Sequence, residues 1–298
     1  MAQTKIEWAD KVWNPITGCT PISEGCQNCY ARRMANRLKG RYGYPKDDPF
    51  QVMFHPKKLD EPLDWRKPQR IFVCSMGDMF HGKVQEEWIN QIVGEIIYAY
   101  EHIFLILTKR PAAAELYFKS HPNSNPPNLW LGVSIENQWT ADERIPILLN
   151  IPAAKRFVSV EPMLGEINLS ESLGIRRYTT LDGLPETPYW KRLIGTPLLG
   201  ILDWVICGGE TGPKARPMHP DWVTSLRDQC QAAGVPFFFK QWGEWDVDYE
   251  HPTHIIMRDG TCEVINQGNS CSGVAIKKVG KKKAGRLLDG RTWEERPE

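Results

Sequence analysis

"HIFLILTKR", residues 102–110, holds five apolar residues in succession and then turns abruptly to Thr108, Lys109 and Arg110. A strand with one wet face alternates apolar and polar residues. An unbroken apolar run indicates a strand covered on both faces, as in a parallel sheet. The same pattern recurs in "RIFVCSMGD" (70–78), "NLWLGVSIEN" (128–137), "KRFVSVEP" (155–162), "DWVICGGE" (203–210) and "VPFFFKQWG" (235–243), with "VWNPIT" (12–17) ahead of them. The stretches between are long enough for helices. "QEEWINQIVGEIIYAYE" (85–101) has apolar residues at helical spacing, and "HPDWVTSLRDQCQAAG" (219–234) ends in a glycine stop signal. Strands alternating with helices make βαβ units with right-handed crossovers. The expected fold is therefore α/β: a partial or open (β/α) barrel of about six to seven parallel strands.

Two regions depart from this repeat. Residues 166–200 lengthen the connection between the fifth and sixth strands and read as an insertion or lid. Residues 246–298 hold short β-like runs, Cys262, Cys271 and the basic "KKVGKKKAGR" (277–286). The expected organisation is a barrel over 1–245, with a cysteine loop at 18–30, and a C-terminal extension over 246–298 packed on it.

The chain has 298 residues with 41% hydrophobic content, enough for a full core, and 37 Lys and Arg against 36 Asp and Glu. No global basic field argues for nucleic acid. The opening "MAQTKIEWAD" has neither a basic nor an apolar leader region, and no stretch approaches the roughly 18 apolar residues of a membrane span. The expectation is a cytoplasmic protein with no membrane contact. In a reducing compartment its eight cysteines favour metal or catalysis over a disulfide framework.

In barrels of parallel strands the site lies where the βα loops converge, at the C-terminal strand ends. Those ends carry Ser75, Met76, Gly77 and Asp78; Lys109 and Arg110; Ser134 and Glu136; Ser159 and Glu161; Gly208 to Glu210; and Lys240. The first strand leads to "GCTPISEGCQNCYARR" (18–33), with Cys19, Cys26 and Cys29 inside eleven positions. A structural zinc takes four protein ligands, so a fourth would have to come from afar, with Cys74, His55 or His81 as candidates. A redox pair of Cys26 and Cys29 leaves Cys19 without a task. A [4Fe–4S] cluster held by three thiolates uses all of them and leaves one iron open. A zinc-dependent hydrolase fits three clustered thiolates poorly.

"WNPITGC", "SEGCQNCYA", "CSMGDMFH", "LTKRP", "VSIEN", "SVEPML", "GGETGPKARPMHPDW", "PFFFKQWGEW" and "GRLLDGRTW" together resemble a phage- and prophage-associated family of radical-SAM-like proteins marked by three cysteines. The resemblance runs from Ile6 to about Trp293. It implies an enzyme with a [4Fe–4S] cluster on Cys19, Cys26 and Cys29 that cleaves S-adenosylmethionine (SAM) reductively and modifies or rearranges a substrate after hydrogen abstraction, as an isomerase does. It also implies a nucleotide or DNA substrate, such as a modified thymidine of phage DNA, an electron donor, a separately encoded partner protein and, for a phage product, the host cytoplasm. By position, Ser75, Met76, Gly77 and Asp78 meet the SAM amino group, Lys109 or Arg110 its carboxylate, and Ser134 and Glu136 the ribose. Glu161, Glu210, His219 and Lys240 orient substrate or move protons. The chain departs from the commonest superfamily pattern in having six residues between Cys19 and Cys26, Asn28 before the third cysteine, and its GGE after the sixth strand. The rival reading is a non-catalytic iron–sulfur or zinc protein that binds nucleic acid or a partner.

Overall fold

The computed structural model describes residues 4, 6–174, 201–265 and 273–298. Its strands and helices follow the sequence pattern closely. In chain order the strands are β1 (Lys11–Trp13), β2 (Ile16–Thr17), β3 (Met53–Phe54), β4 (Arg70–Val73), β5 (Ile103–Thr108), β6 (Leu129–Ile135), β7 (Lys155–Val160), β8 (Trp204–Gly208) and β9 (Phe237–Gln241). A single parallel sheet runs β1-β4-β5-β6-β7-β8-β9, each strand beside its successor, which is the arrangement of a partial (β/α) barrel. Helices α1 (Tyr30–Arg37), α2 (Glu86–Tyr98), α3 (Pro111–Ser120), α4 (Gln138–Asn150) and α5 (Pro220–Ala233) fill connections between the strands. Gly234, at φ 66°, closes α5 in the left-handed conformation that the sequence stop signal anticipates.

The continuous apolar runs separate into two faces once the strand period of two is applied. Phe104, Ile106, Leu131, Val133, Val158 and Val205 join the large core beneath the helices. Leu105, Trp130, Phe157, Trp204, Ile206 and Phe238 point the other way, into the barrel, and pack there with Trp8. All seven residues of β6 are buried. Continuing the barrel-facing alternation past the strand ends places Lys109, Ser134, Glu136, Glu161, Gly208, Glu210 and Lys240 on the same inward parity. The aromatic floor and the polar mouth are thus successive layers of one face.

The C-terminal residues close the open edge. Phe239 N donates to Trp293 O (2.9 Å), and Trp204 Nε1 donates to Glu295 O (2.9 Å). An antiparallel sheet of β10 (Trp245–Val247), β11 (His254–Ile256), β12 (Cys262–Val264) and β13 (Val274–Lys278) follows β9. Its Ile256 and Ile276 enter the large core. The expected insertion is described only to Gly174; its remainder, like Cys271, lies outside the described residues. Among the described residues no helix is long and apolar enough to cross a membrane.

Candidate metal centre at the strand ends

The cysteine loop begins where β2 meets the turn after β4. Gly18 N donates to Met76 O (2.9 Å), and Gly18 bridges Gly77. Gly18 has φ 89°, and a Cβ there would lie 1.9 Å from Gln51 O, so both conformation and space require glycine. Cys19 follows, its N–H donating to Phe50 O (3.1 Å). A short 3₁₀ turn (Glu24–Cys26) presents Cys26, and Cys29 is the N-cap of α1. None of the three is in a disulfide, all are half-buried, and Cys19 and Cys29 pack on the cluster of Ala35, Tyr44, Phe50 and Met76.

Cations from the end of β5 reach this loop. Arg110 Nη1 donates to Cys19 Sγ (3.3 Å) and to Asp78 Oδ2 (2.9 Å), while Nη2 donates to Thr20 O (2.9 Å). Asp78 also accepts from Thr108 Oγ1 (2.8 Å) and the amides of Lys109 (3.2 Å) and Phe80 (3.0 Å). Burial pushes the Cys26 thiol up, but the Lys109 ammonium and hydrogen bonds from the Ile22 and Ser23 amides and the Ser23 side chain outweigh it and hold it below the ordinary thiol value. Cys19 is the opposite case: burial and the Asp78 carboxylate raise it despite Arg110.

Glu136 ties the end of β6 to the same loop. It is fully buried; its carboxylate pairs with Lys109 Nζ and with Arg144 Nη1 (3.2 Å) and accepts from Ser23 Oγ (2.8 Å). A Cβ on Gly25 would sit 2.5 Å from Glu136 Cγ, so the loop can ride over this carboxylate only with glycine there. Glu210, after β8, accepts from Asn28 Nδ2 (2.9 Å) and from Arg216 Nε (3.0 Å) and Nη2 (2.8 Å), and Arg216 Nη2 donates to Glu24 O (3.1 Å). Burial would raise the Glu210 pKa, but these bonds bring it below the usual carboxylate value. Deeper in the mouth, Lys240 Nζ pairs with both Glu161 oxygens (2.7 and 3.0 Å), and this pairing lifts the lysine pKa against the effect of burial.

Among the described residues no three His, Cys, Asp or Glu side chains converge as a single bound ion would require. By chemistry alone, three thiols with two cations beside them are a donor set that fits an iron–sulfur cluster, whose sulfurs take N–H donors.

Residues 3–297 match one family model, described as protein of unknown function (DUF5131). The chain belongs to that family. No curated protein matches the DUF5131 chain. Among solved structures, a spore photoproduct lyase mutant is similar at TM-score 0.43 and 12% identity, over 90% of this chain and 71% of that one.

The structure of this DUF5131 member brings Asp78, Lys109, Arg110, Glu136 and Glu210 together around the cysteine loop through the bonds above. Lys109 and Arg110 both have their head groups engaged within the protein. Ser75 Oγ donates to Asn14 Oδ1 (3.2 Å), which also accepts from Met76 N (2.9 Å), and the Met76 side chain lies in the cluster under Cys19. Ser134 is buried, and its carbonyl accepts from Arg144 Nη1 (2.7 Å). His219 is the N-cap of α5, its Nδ1 accepting from Asp221 N (3.1 Å) with its ring against Trp222. Sequence reading missed Ser23, Asn28, Arg144 and Arg216. Arg216 stands in the quoted "GGETGPKAR" motif, six residues after Glu210, so that spacing was available as a signal. Arg144 had none, being one charge among several on a helix.

Proposed function

We propose that the chain is a radical-SAM-type enzyme in which Cys19, Cys26 and Cys29 hold a [4Fe–4S] cluster. The observation that carries this reading is one loop, at the C-terminal ends of the barrel strands, that holds three free thiols with Lys109 and Arg110 set against it. Held by these three cysteines, such a cluster would supply the electron for reductive SAM cleavage and, through it, radical chemistry on the substrate.

The chain's own residues prepare for this. Lys109 and Arg110 offset the negative charge of three thiolates in a partly desolvated place. Arg110 also cross-links Cys19, Thr20 and Asp78, fixing the first part of the loop. Glu136 and Ser23 anchor its middle. Glu210 and Arg216 hold Asn28 and Glu24 on either side of Cys26. Ser75, Met76, Gly77 and Asp78 are proposed as the edge for the SAM amino group, and Ser134 with Glu136 as the ribose side, on position alone. The Glu161–Lys240 pair, beside the bare Gly208, is proposed to orient the substrate's polar group. The substrate is proposed to be nucleotide material, acted on by isomerase-type rearrangement with an external electron donor and a partner protein.

Electron paramagnetic resonance on the anaerobically reconstituted, dithionite-reduced protein tests the reading. A [4Fe–4S] signal that changes when SAM is added and is absent from Cys26→Ala supports it. Zinc in place of iron, or a cluster signal indifferent to SAM, overturns it.

A further inference from the structure

Residues 30–46, "YARRMANRLKGRYGYPK", contain Arg32, Arg33, Arg37, Lys39, Arg41 and Lys46 and no acidic residue, in a chain whose net charge is only +1, so the remainder is net acidic. Among the described residues these six cations form no ion pair. Arg33 donates to Thr211 O (2.9 Å), Arg41 donates to Arg37 O (2.8 Å), and the Arg32 guanidinium lies 5.7 Å from the Phe50 ring centre. The first acids, the exposed Asp47 and Asp48, come directly after the run, and Asp48 accepts from Phe50 N (3.3 Å).

The other basic run differs. In 277–286, Lys277 pairs with Asp248 (4.0 Å), Lys281 with Glu7 (3.6 Å) and Arg286 with Glu294, while Lys278 donates to Pro213 O. Half of its six cations are thus ion-paired within the protein. Of the two basic runs, α1 and the turn after it therefore offer the better surface for a polyanion.

That surface borders the cysteine loop directly. A cavity of about 250 Å³ is lined by Cys19 and Thr20 on one side, Arg32 and Asn36 of α1 on another, the exposed Lys83 at its rim, and one carboxylate, Asp48. Two rings stand out of the run, Tyr30 at 54% and Tyr42 at 77% exposure. Unpaired cations interleaved with exposed aromatic rings meet the two needs of a single-stranded polynucleotide: neutralised phosphates and a stacking face for bases. An anionic membrane would ask instead for an apolar helix face, and the eight residues of α1 bury only Ala35.

We infer that α1 and the turn to Lys46 form a binding surface for a single-stranded nucleic acid, leading its bases toward the cavity at Cys19. The surface's place in catalysis rests on the proposed function above; its binding does not.

Fluorescence anisotropy with a labelled oligothymidine of about 15 nucleotides tests it on the full chain, with and without the reconstituted cluster and without SAM. Binding should fall steeply with salt. Reversing three charges, in Arg37→Glu, Lys39→Glu and Lys46→Glu combined, should weaken it at least about tenfold and lower the salt slope by about two. Lys282→Glu with Lys283→Glu should leave it within about twofold, and both variants should keep the parent melting temperature. Undiminished binding by the triple variant, equal loss in the control, no oligonucleotide binding at low salt, or binding to phosphatidylserine vesicles in its place would each overturn the inference. Because no step requires SAM, failure here leaves the radical reading standing, and failure of SAM cleavage leaves this result standing.

Discussion

Glu136 has no exposed surface, yet its carboxylate is held by two cations and a hydroxyl that come from three different segments. A carboxylate in that position keeps Lys109 and Arg144 from being buried uncompensated, and breaking such a pair costs far more than the pair is worth against an apolar replacement. Glu136→Gln, which keeps the shape and removes the charge, is expected to lower unfolding free energy by about 3 kcal/mol in urea titration. A loss below about 1 kcal/mol would mean that the two cations find other partners. The residue types at this site were legible in the sequence, but their pairings were not. Lys109 and Arg110 read as free cations aimed at a ligand. Their partners Glu136 and Asp78 lie on neighbouring strand ends, and only the register of β4, β5 and β6 brings them together.

At the scale of elements, the strands were the most legible part, because burial on both faces writes itself as uninterrupted hydrophobicity. The helix ends were legible too, although His219 shows how the same residue serves two readings. Sequence offers it as a proton carrier, and in the fold its Nδ1 caps α5. Burial, aided by Arg258, holds His219 below the ordinary histidine value against the pull of Asp221 and Glu166. The folded chain therefore binds fewer protons there than the unfolded chain. Its contribution to stability is full above about pH 6.5 and is lost as the pH falls toward the lower folded value. Urea midpoints at about pH 7.5 and about pH 5.5 should differ more for the wild type than for His219→Asn, which caps without titrating, by up to about 1 kcal/mol. Equal acid loss in both would place the titrating group elsewhere.

Across the whole molecule, one parity rule connects an aromatic floor of Trp8, Trp130, Phe157, Trp204 and Phe238 to a mouth of charged residues, over which the cysteine loop is clamped from several strand ends. The floor gives the mouth a rigid base and the clamps fix the thiols, so site and fold are two consequences of the same strand register. The proposed function requires that this mouth direct reductive SAM cleavage. The decisive measurement is chromatographic detection of 5′-deoxyadenosine after anaerobic reconstitution, dithionite reduction and addition of SAM, with Cys26→Ala beside it. Cysteine-dependent 5′-deoxyadenosine is the expected result; a fully assembled [4Fe–4S] cluster that leaves SAM intact, even with single-stranded DNA present, would contradict it.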